Sequence, residues 1–188
     1  MMRSDECLRI LARAAGESIV VAAYQAAFEW MAIRPSDLNY LSVGAMGLAS
    51  SHALGLALGR PDKQVLVLDG DGSLLMNLGS LVTIADAAPP NLVHFVFQND
   101  QYAVNGGHPI PGAGRIDFPG LAAAAGYRGS YAFTELADFA TRIPGVLGEP
   151  GPVFVALKVV KGGDYPRDYD ALFSAGRRRA FRDAVRRA

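Results

Sequence analysis

Only one cysteine, Cys7, occurs in the 188 residues. That excludes an internal disulfide and a cysteine-based metal cluster. The thiol falls on an apolar-periodic position of the first predicted helix and reads as a core side chain. Net charge is missing too: 18 Lys and Arg balance 18 Asp and Glu, so no overall field draws nucleic acid or an anionic membrane. The one basic concentration, Arg177, Arg178 and Arg179 with Arg182, Arg186 and Arg187, reads as the solvated face of a helix. The start has no basic segment leading into an apolar core, and no apolar run approaches the length that spans a bilayer. A cytoplasmic chain with no nucleic-acid and no membrane partner is expected. There is no internal repeat and no linker. What abounds is apolar: 51% of the residues are hydrophobic, with 21 Gly and 11 Pro, the mixture of a globular chain. One domain over residues 1–188 is expected, with a helical tail over about 168–188.

Strand and helix signals alternate along the chain. Ser4 or Asp5 is placed to cap a first helix carrying Cys7, Leu8, Ile10, Leu11 and Ala14, which Gly16 ends. Ser18–Ala23 reads as a strand, Ala26–Met31 as a helix, Arg34–Asp37 as a turn and Asn39–Val43 as a second strand. Leu48–Leu58 is apolar all round and rich in small residues, the pattern of a helix packed on several sides, with His52 as a hydrogen-bonded buried histidine. Gln64–Leu68 is the central strand; two short helices broken near Gly79 follow, and Leu92–Gln98 is the next strand. Asn105–Gly114 must be a loop, and one so rich in Gly and Pro is often functional. Asp117–Ala125 suits a helix, Tyr127–Phe133 a turn and short strand, Glu135–Ile143 a helix capped by Thr134, and Pro152–Val160 a last strand. Inner strands that are apolar without alternation indicate a mostly parallel sheet covered on both faces, a three-layer α/β/α domain.

The stretch from Val65 to Leu68 stops abruptly at Asp69-Gly70-Asp71-Gly72-Ser73, and a helical pattern follows. That places Asp71 at the carboxyl end of a strand, where open α/β sheets bind ligands. The flanking glycines leave bare backbone that a charged group can approach. The dinucleotide fingerprint fails, since no third glycine follows at the required spacing, and the P-loop fails for want of Gly-Lys-Ser/Thr. Asp69-Gly70-Asp71-Gly72-Ser73 also resembles the nucleophile motif of haloacid-dehalogenase-like phosphatases, with Asp69 as nucleophile and Asp71 as acid/base. That reading lacks its further parts: the next strand ends in Asn99 instead of a hydroxyl, and Asp164 has no neighbouring acid.

Gly70-Asp71-Gly72, then 26 residues, then Asn99 resembles the thiamine diphosphate motif. Such a spacing fits one helical crossover between neighbouring parallel strands, bringing Asp71 and Asn99 to the same sheet edge. A carboxylate and an amide carbonyl are hard ligands suited to Mg²⁺ or Ca²⁺. With the Gln101 main-chain carbonyl, two diphosphate oxygens and a water, they would complete an octahedron. The N–H groups of Gly72 and Ser73 and the Ser73 hydroxyl suit the diphosphate itself. Upstream, Gly44-Ala45-Met46-Gly47 is similar to the decarboxylase branch of thiamine diphosphate enzymes, in which an apolar side chain, here Met46, bends the cofactor into a V. The resemblance runs from about Leu38 to Gly107, more loosely to Val160, and is strongest to the sulfopyruvate and phosphonopyruvate decarboxylases.

The resemblance implies the diphosphate-binding subunit of a split enzyme that decarboxylates a 2-oxo acid bearing a second anionic group; a carboligase subunit is the alternative, and a non-catalytic partner a remoter one. It implies thiamine diphosphate and Mg²⁺ as cofactors, Gly44, Ala45, Met46, Gly70, Asp71, Gly72, Ser73, Asn99, Gln101 and Tyr102 as cofactor contacts, and Tyr102 and His108 as candidate catalytic groups. His108, with a pKa normally near neutral, suits a proton shuttle. The family's carbanion-generating glutamate lies on a pyrimidine-binding domain, and none of Glu6, Glu17, Glu29, Glu135 and Glu149 falls in a segment resembling it. A separate pyrimidine-binding (alpha) subunit is therefore implied, in a hetero-oligomer of two copies of each subunit or larger. Two departures stand out. Relatives carry Gly after Asn99 and Gly-Phe-x-Ser-Arg-Glu after the first strand, where this chain has Asp100 and Tyr24-Gln25-Ala26-Ala27-Phe28-Glu29. Losing that Ser and Arg points to a less anionic substrate or to carboligation.

Overall fold

The computed structural model describes residues 1–41 and 43–188; Ser42, within the expected strand Asn39–Val43, lies outside the described residues. In chain order the elements are β1 (Met2–Arg3), α1 (Ser4–Ala14), β2 (Ile19–Ala22), α2 (Tyr24–Ile33), β3 (Asn39–Tyr40), α3 (Ala49–Gly59), β4 (Val65–Gly70), α4 (Asp71–Leu75), α5 (Ser80–Ala87) and β5 (Leu92–Gln98). There follow β6 (Gln101–Tyr102), β7 (His108–Pro109), α6 (Phe118–Ala125), β8 (Gly129–Phe133), α7 (Leu136–Leu147), β9 (Val153–Val160), α8 (Tyr169–Leu172) and α9 (Ala175–Arg187).

Seven strands form one sheet in the order β1-β9-β5-β4-β2-β3, with β8 also on β9. Every pairing in it is parallel. β8 covers Val153–Leu157 and β1 covers Val159 and Val160, so two short strands lie end to end along one side of β9. Alternate residues of each strand face opposite cores: Leu66 and Leu68 join one with α1, α2 and α7, while Val65 and Val67 join the other with α3, α5 and α6. The fold is a three-layer α/β/α sandwich, as the apolar inner strands imply. Trp30, Phe28 and Phe95 are wholly buried, a contribution of roughly 1.5–3 kcal/mol for each large side chain. The Trp30 indole donates to Asn39 Oδ1 at 3.0 Å, so that burial leaves no polar atom unpaired. Cys7 is a core thiol, pushed up to about 12 by burial.

Several expectations need correcting. Neither Ser4 nor Asp5 caps α1; both are helical, Arg3 is the cap residue, and it makes no side-chain cap bond. The Ser4 hydroxyl instead donates to Glu29 at 3.1 Å and accepts from the Gly162 N–H at 2.9 Å. Thr134 does not cap α7 either, since the helix begins at Leu136 after Glu135 and continues past Pro144. Asp117 does cap α6, accepting from the Gly120 N–H at 2.9 Å. Helix α3 is not covered on all sides: the sheet takes one face, leaving Leu58 56% exposed. His52 is half-buried rather than buried, its Nδ1 bonded to the Leu48 carbonyl at 2.8 Å. The glycine-rich loop contains β7, which pairs antiparallel with β6 in a small ribbon. The C-terminal helix is two helices, and α9 packs back on the sheet edge through Phe181, whose ring lies 5.1 Å from that of Tyr40.

Candidate functional site

From β2 the chain steps to β3 on one side and to β4 on the other, so the order reverses between β2 and β4. Crevices at such a reversal, outside the carboxyl ends of the strands, are where parallel sheets bind ligands. A cavity of about 480 Å³ lies there. Its wall combines Tyr24 after β2, the turn from β4 into α4, the segment following β5, and the end of β9 with Lys161.

Asp71 forms the floor and is only 1% exposed. Its Oδ1 accepts from the Gly72 N–H at 2.7 Å, and its Oδ2 accepts from the N–H groups of Asn99 at 2.9 Å and Asp100 at 2.6 Å. The crossover α4–α5 thus brings the two halves of the motif together, as their spacing predicts. Burial pushes the Asp71 carboxyl up to about 6, against the opposing pull of those N–H groups. No ion pair forms on it among the described residues, and a buried carboxylate without a cation calls for one. The other oxygens suit a hard metal. Asn99 Oδ1 accepts from the Gln101 N–H at 2.9 Å, which fixes the amide above the turn. No cluster of three His, Cys, Asp or Glu occurs among the described residues, so a metal here would rest on one carboxylate and neutral oxygens.

Gly72 is bare for a reason: an added Cβ would stand 2.5 Å from Tyr102 Cε1 and 3.1 Å from Ile110 Cγ2. The Tyr102 ring therefore lies directly against the α4 backbone. Gly72 N–H is engaged by Asp71, so it is not the free diphosphate donor that the sequence suggests. The Ser73 hydroxyl accepts from the Gly47 N–H at 2.9 Å, which leaves its own hydrogen to donate, and Asn77 donates to the Gly47 carbonyl at 2.8 Å. These two bonds dock the Gly44–Gly47 turn on α4 and bring Met46 to the cavity wall. Gly44 and Ala45 are exposed beside it. His108 stands exposed on β7, while Gly107 beside it reaches the wall.

Two backbone positions at the cavity are unusual. Tyr24 has φ +44° and Asp100 has φ +59°, the left-handed region that favours glycine. Both lie where the sequence departs from the decarboxylases it resembles, after the first strand and after Asn99. Asp100 bears its conformation with its carboxylate bonded to Gln98 at 3.1 Å and paired with Lys158 at 3.5 Å. Burial pushes this carboxyl up, yet Gln98, the Gly114 N–H and Lys158 together bring it below the ordinary value. At Tyr24 the usual order of residues should invert. Tyr24→Gly should be more stable than Tyr24→Ala by about 1 kcal/mol, because alanine keeps the strained Cβ. Denaturant melts of the two variants test this, and equal midpoints would show that the turn is unstrained.

Sequence reasoning gave no role at the site to Gln25, Glu29, Lys158, Lys161 or Arg167. Gln25 and Glu29 of α2 reach the cavity, and Glu29 is 1% exposed. The signal was there, since Glu29 is the only charged residue of α2. Lys158, Lys161 and Arg167 add cationic side chains at the end of β9. Asp69 is wholly buried, with Oδ1 on the Gly70 N–H at 2.9 Å and Oδ2 facing His94 Nε2 at 3.8 Å. Asp69 thus faces His94 while Asp71 is held by three N–H groups, so the two acids do not act together as the nucleophile and acid/base pair of the phosphatase reading.

Fold and site define a parallel α/β domain whose ligand cavity opens at the reversal of strand order. Residues 16–157 match the family model described as "Thiamine pyrophosphate enzyme, C-terminal TPP binding domain", and the chain belongs to this family. It is 43% identical over 126 residues to phosphonopyruvate decarboxylase from Streptomyces hygroscopicus, covering 67% of this chain but 31% of that one. It is 40% identical over 134 residues to sulfopyruvate decarboxylase subunit beta from Methanothermobacter thermautotrophicus, covering 71% of this chain and 69% of the relative. The thiamine diphosphate-dependent 4-hydroxybenzoylformate decarboxylase of Rhodococcus jostii RHA1 shares the fold, with a TM-score of 0.73 at 23% identity over 86% of this chain and 33% of that one.

Proposed function

We propose that this chain is the diphosphate-binding subunit of a thiamine diphosphate-dependent 2-oxo acid decarboxylase, completed by a separate pyrimidine-binding subunit. The observation that carries the reading is Asp71: a buried carboxylate at the carboxyl end of β4, braced by the Asn99 turn and with no ion pair among the described residues. Asp71, the Asn99 amide and the Gln101 carbonyl would hold Mg²⁺, with Ca²⁺ a substitute, and the Ser73 hydroxyl would donate to the diphosphate. Bound thiamine diphosphate supplies an electron sink for the pair left when carbon dioxide departs. The chain's own part is positional. Met46 would support the bound cofactor from the cavity wall, Tyr102 would close the α4 side, and Lys158, Lys161 and Arg167 would draw an anionic substrate toward the mouth.

The glutamates within these residues support a partner. Glu149 is bound to the Tyr131 hydroxyl at 2.8 Å and Glu17 to Lys63 at 3.3 Å, and Glu6 and Glu135 are exposed away from the cavity wall. Only Glu29 is left at the cavity, and it belongs to this domain rather than to a pyrimidine-binding one. The exposed apolar side chains Leu58, Met76 and Val82 are consistent with a surface another chain covers. Co-expression with the pyrimidine-binding subunit should give carbon dioxide release from a 2-oxo acid panel that depends on thiamine diphosphate, Mg²⁺ and both chains. Turnover by this chain alone at an enzymatic rate would remove the partner from the reading, and an acyloin product would make it a carboligase.

A further inference from the structure

The decarboxylase reading leaves one chemical need without a residue: a proton for the substrate carbon after carbon dioxide has left. Asp71 is braced by three N–H groups and turned to the metal site. His108 is exposed away from the wall, and Tyr102 lies flat against Gly72. Glu29 remains. It lines the same cavity, is 1% exposed, and its Oε1 accepts from the Ser4 hydroxyl at 3.1 Å and the Gln25 amide at 2.9 Å. Its Oε2 is buried and has no partner among the described residues. A charged carboxylate with one oxygen so stranded is costly, whereas the neutral acid has a proton to give.

We propose that Glu29 is the proton donor of this site, delivering the hydrogen on Oε2 to the substrate carbon from which carbon dioxide has departed. The O–H bond of the acid breaks and a C–H bond forms with the electron pair that the departing carbon dioxide left behind. Glu29 becomes a carboxylate and regains its proton from water at the cavity mouth. The assignment rests on the decarboxylase reading. The surroundings favour the protonated form: burial and the nearby Asp5 push the Glu29 carboxyl up, and the bonds from Gln25 and Ser4 and the more distant Lys161 only partly offset them. Asp5 and Cys7 of α1 and Lys161 and Tyr165 of the segment after β9 are the ionisable groups that interact with it.

The test uses the co-expressed two-subunit complex and the variant Glu29→Gln, which keeps the size of the side chain and its acceptor oxygen. Aldehyde release should fall by about a hundredfold or more, the usual weight of a positioned general acid. An artificial electron acceptor such as ferricyanide removes the stranded electron pair without a proton. Carbon dioxide release in its presence should stay within about threefold of the wild type, because the step before protonation is untouched. In cofactor-free complex, isotope-edited infrared spectra near neutral pH should show a protonated carboxyl band that Glu29→Gln removes. Equal losses in both assays would make Glu29 a structural residue and overturn the proposal, as would a wild-type spectrum without that band, which decides the matter even if the variant fails to assemble. A wild-type complex releasing no carbon dioxide from any 2-oxo acid would overturn the decarboxylase reading and this proposal with it; an active wild type with an unimpaired variant overturns the proposal alone.

Discussion

Asp71→Ala should abolish Mg²⁺-dependent binding of thiamine diphosphate and should also weaken the fold. Loss of the carboxylate removes the only charged ligand of the proposed metal site. It also strands the N–H groups of Gly72, Asn99 and Asp100, which Asp71 accepts at 2.7, 2.9 and 2.6 Å. An unpaired buried donor costs about 1–3 kcal/mol, less where water enters, so the melting temperature should drop by several degrees. Calorimetry with cofactor and Mg²⁺ should then show no saturable heat; retained affinity would remove the metal from this place. The same carboxyl gives a pH signature. Ligand-free, its folded pKa of about 6 lies above the ordinary aspartate value of 3.8, so the folded state binds more protons in that interval. The contribution to stability is therefore full below the lower value and is lost as pH rises through the upper one. A cation needs the ionised form, so Mg²⁺ affinity should fall as pH drops below about 6, by up to tenfold per unit.

The second large effect is expected at Gly72. In Gly72→Ala the new methyl group would meet Tyr102 Cε1 at 2.5 Å and Cδ1 at 2.6 Å, inside any tolerable contact. The ring is seated in β6, and its displacement drags the β6–β7 ribbon off α4. Overpacking of this kind costs about 1–3 kcal/mol, and cofactor affinity should fall by about tenfold or more as Gln101 moves with the ribbon. Gly72→Ala with Tyr102→Ala should regain much of the stability lost in Gly72→Ala alone, since the Tyr102 ring makes the two shortest contacts, 2.5 and 2.6 Å against 3.1 Å for Ile110. A double-mutant cycle measures that coupling, and strict additivity would show that ring and backbone do not touch.

Much of this architecture is legible in the sequence because it is local. Leu92–Gln98 is rich in β-branched and aromatic residues, Val93, Phe95, Val96 and Phe97, and is β5 to the residue. Asp71 and Asn99 can be paired before any coordinates exist, because one crossover must return the chain to the neighbouring strand. What escaped is what distant segments decide. β1 is two residues long and exists because Val159 and Val160 present an open ladder to it. The Ser4 hydroxyl looks like a helix cap, yet it is claimed by Glu29 and Gly162, which sequence order places 25 and 158 residues away. Glu29 shares a cavity with Asp71 only because β2 and β4 are neighbours. In sequence Asp71 reads as a ligand alone; its second duty as a brace appears once the Asn99 turn is seen folded onto it.

Tyr24 and Asp100 bear on how relatives of this domain are to be found. A pattern that demands glycine at those two points would discard this chain, although its backbone bends at +44° and +59° as a glycine would allow. Dihedral angles carry the signature where the alphabet has lost it, and a search through structures on those two bends beside a buried aspartate would recover chains that letters miss.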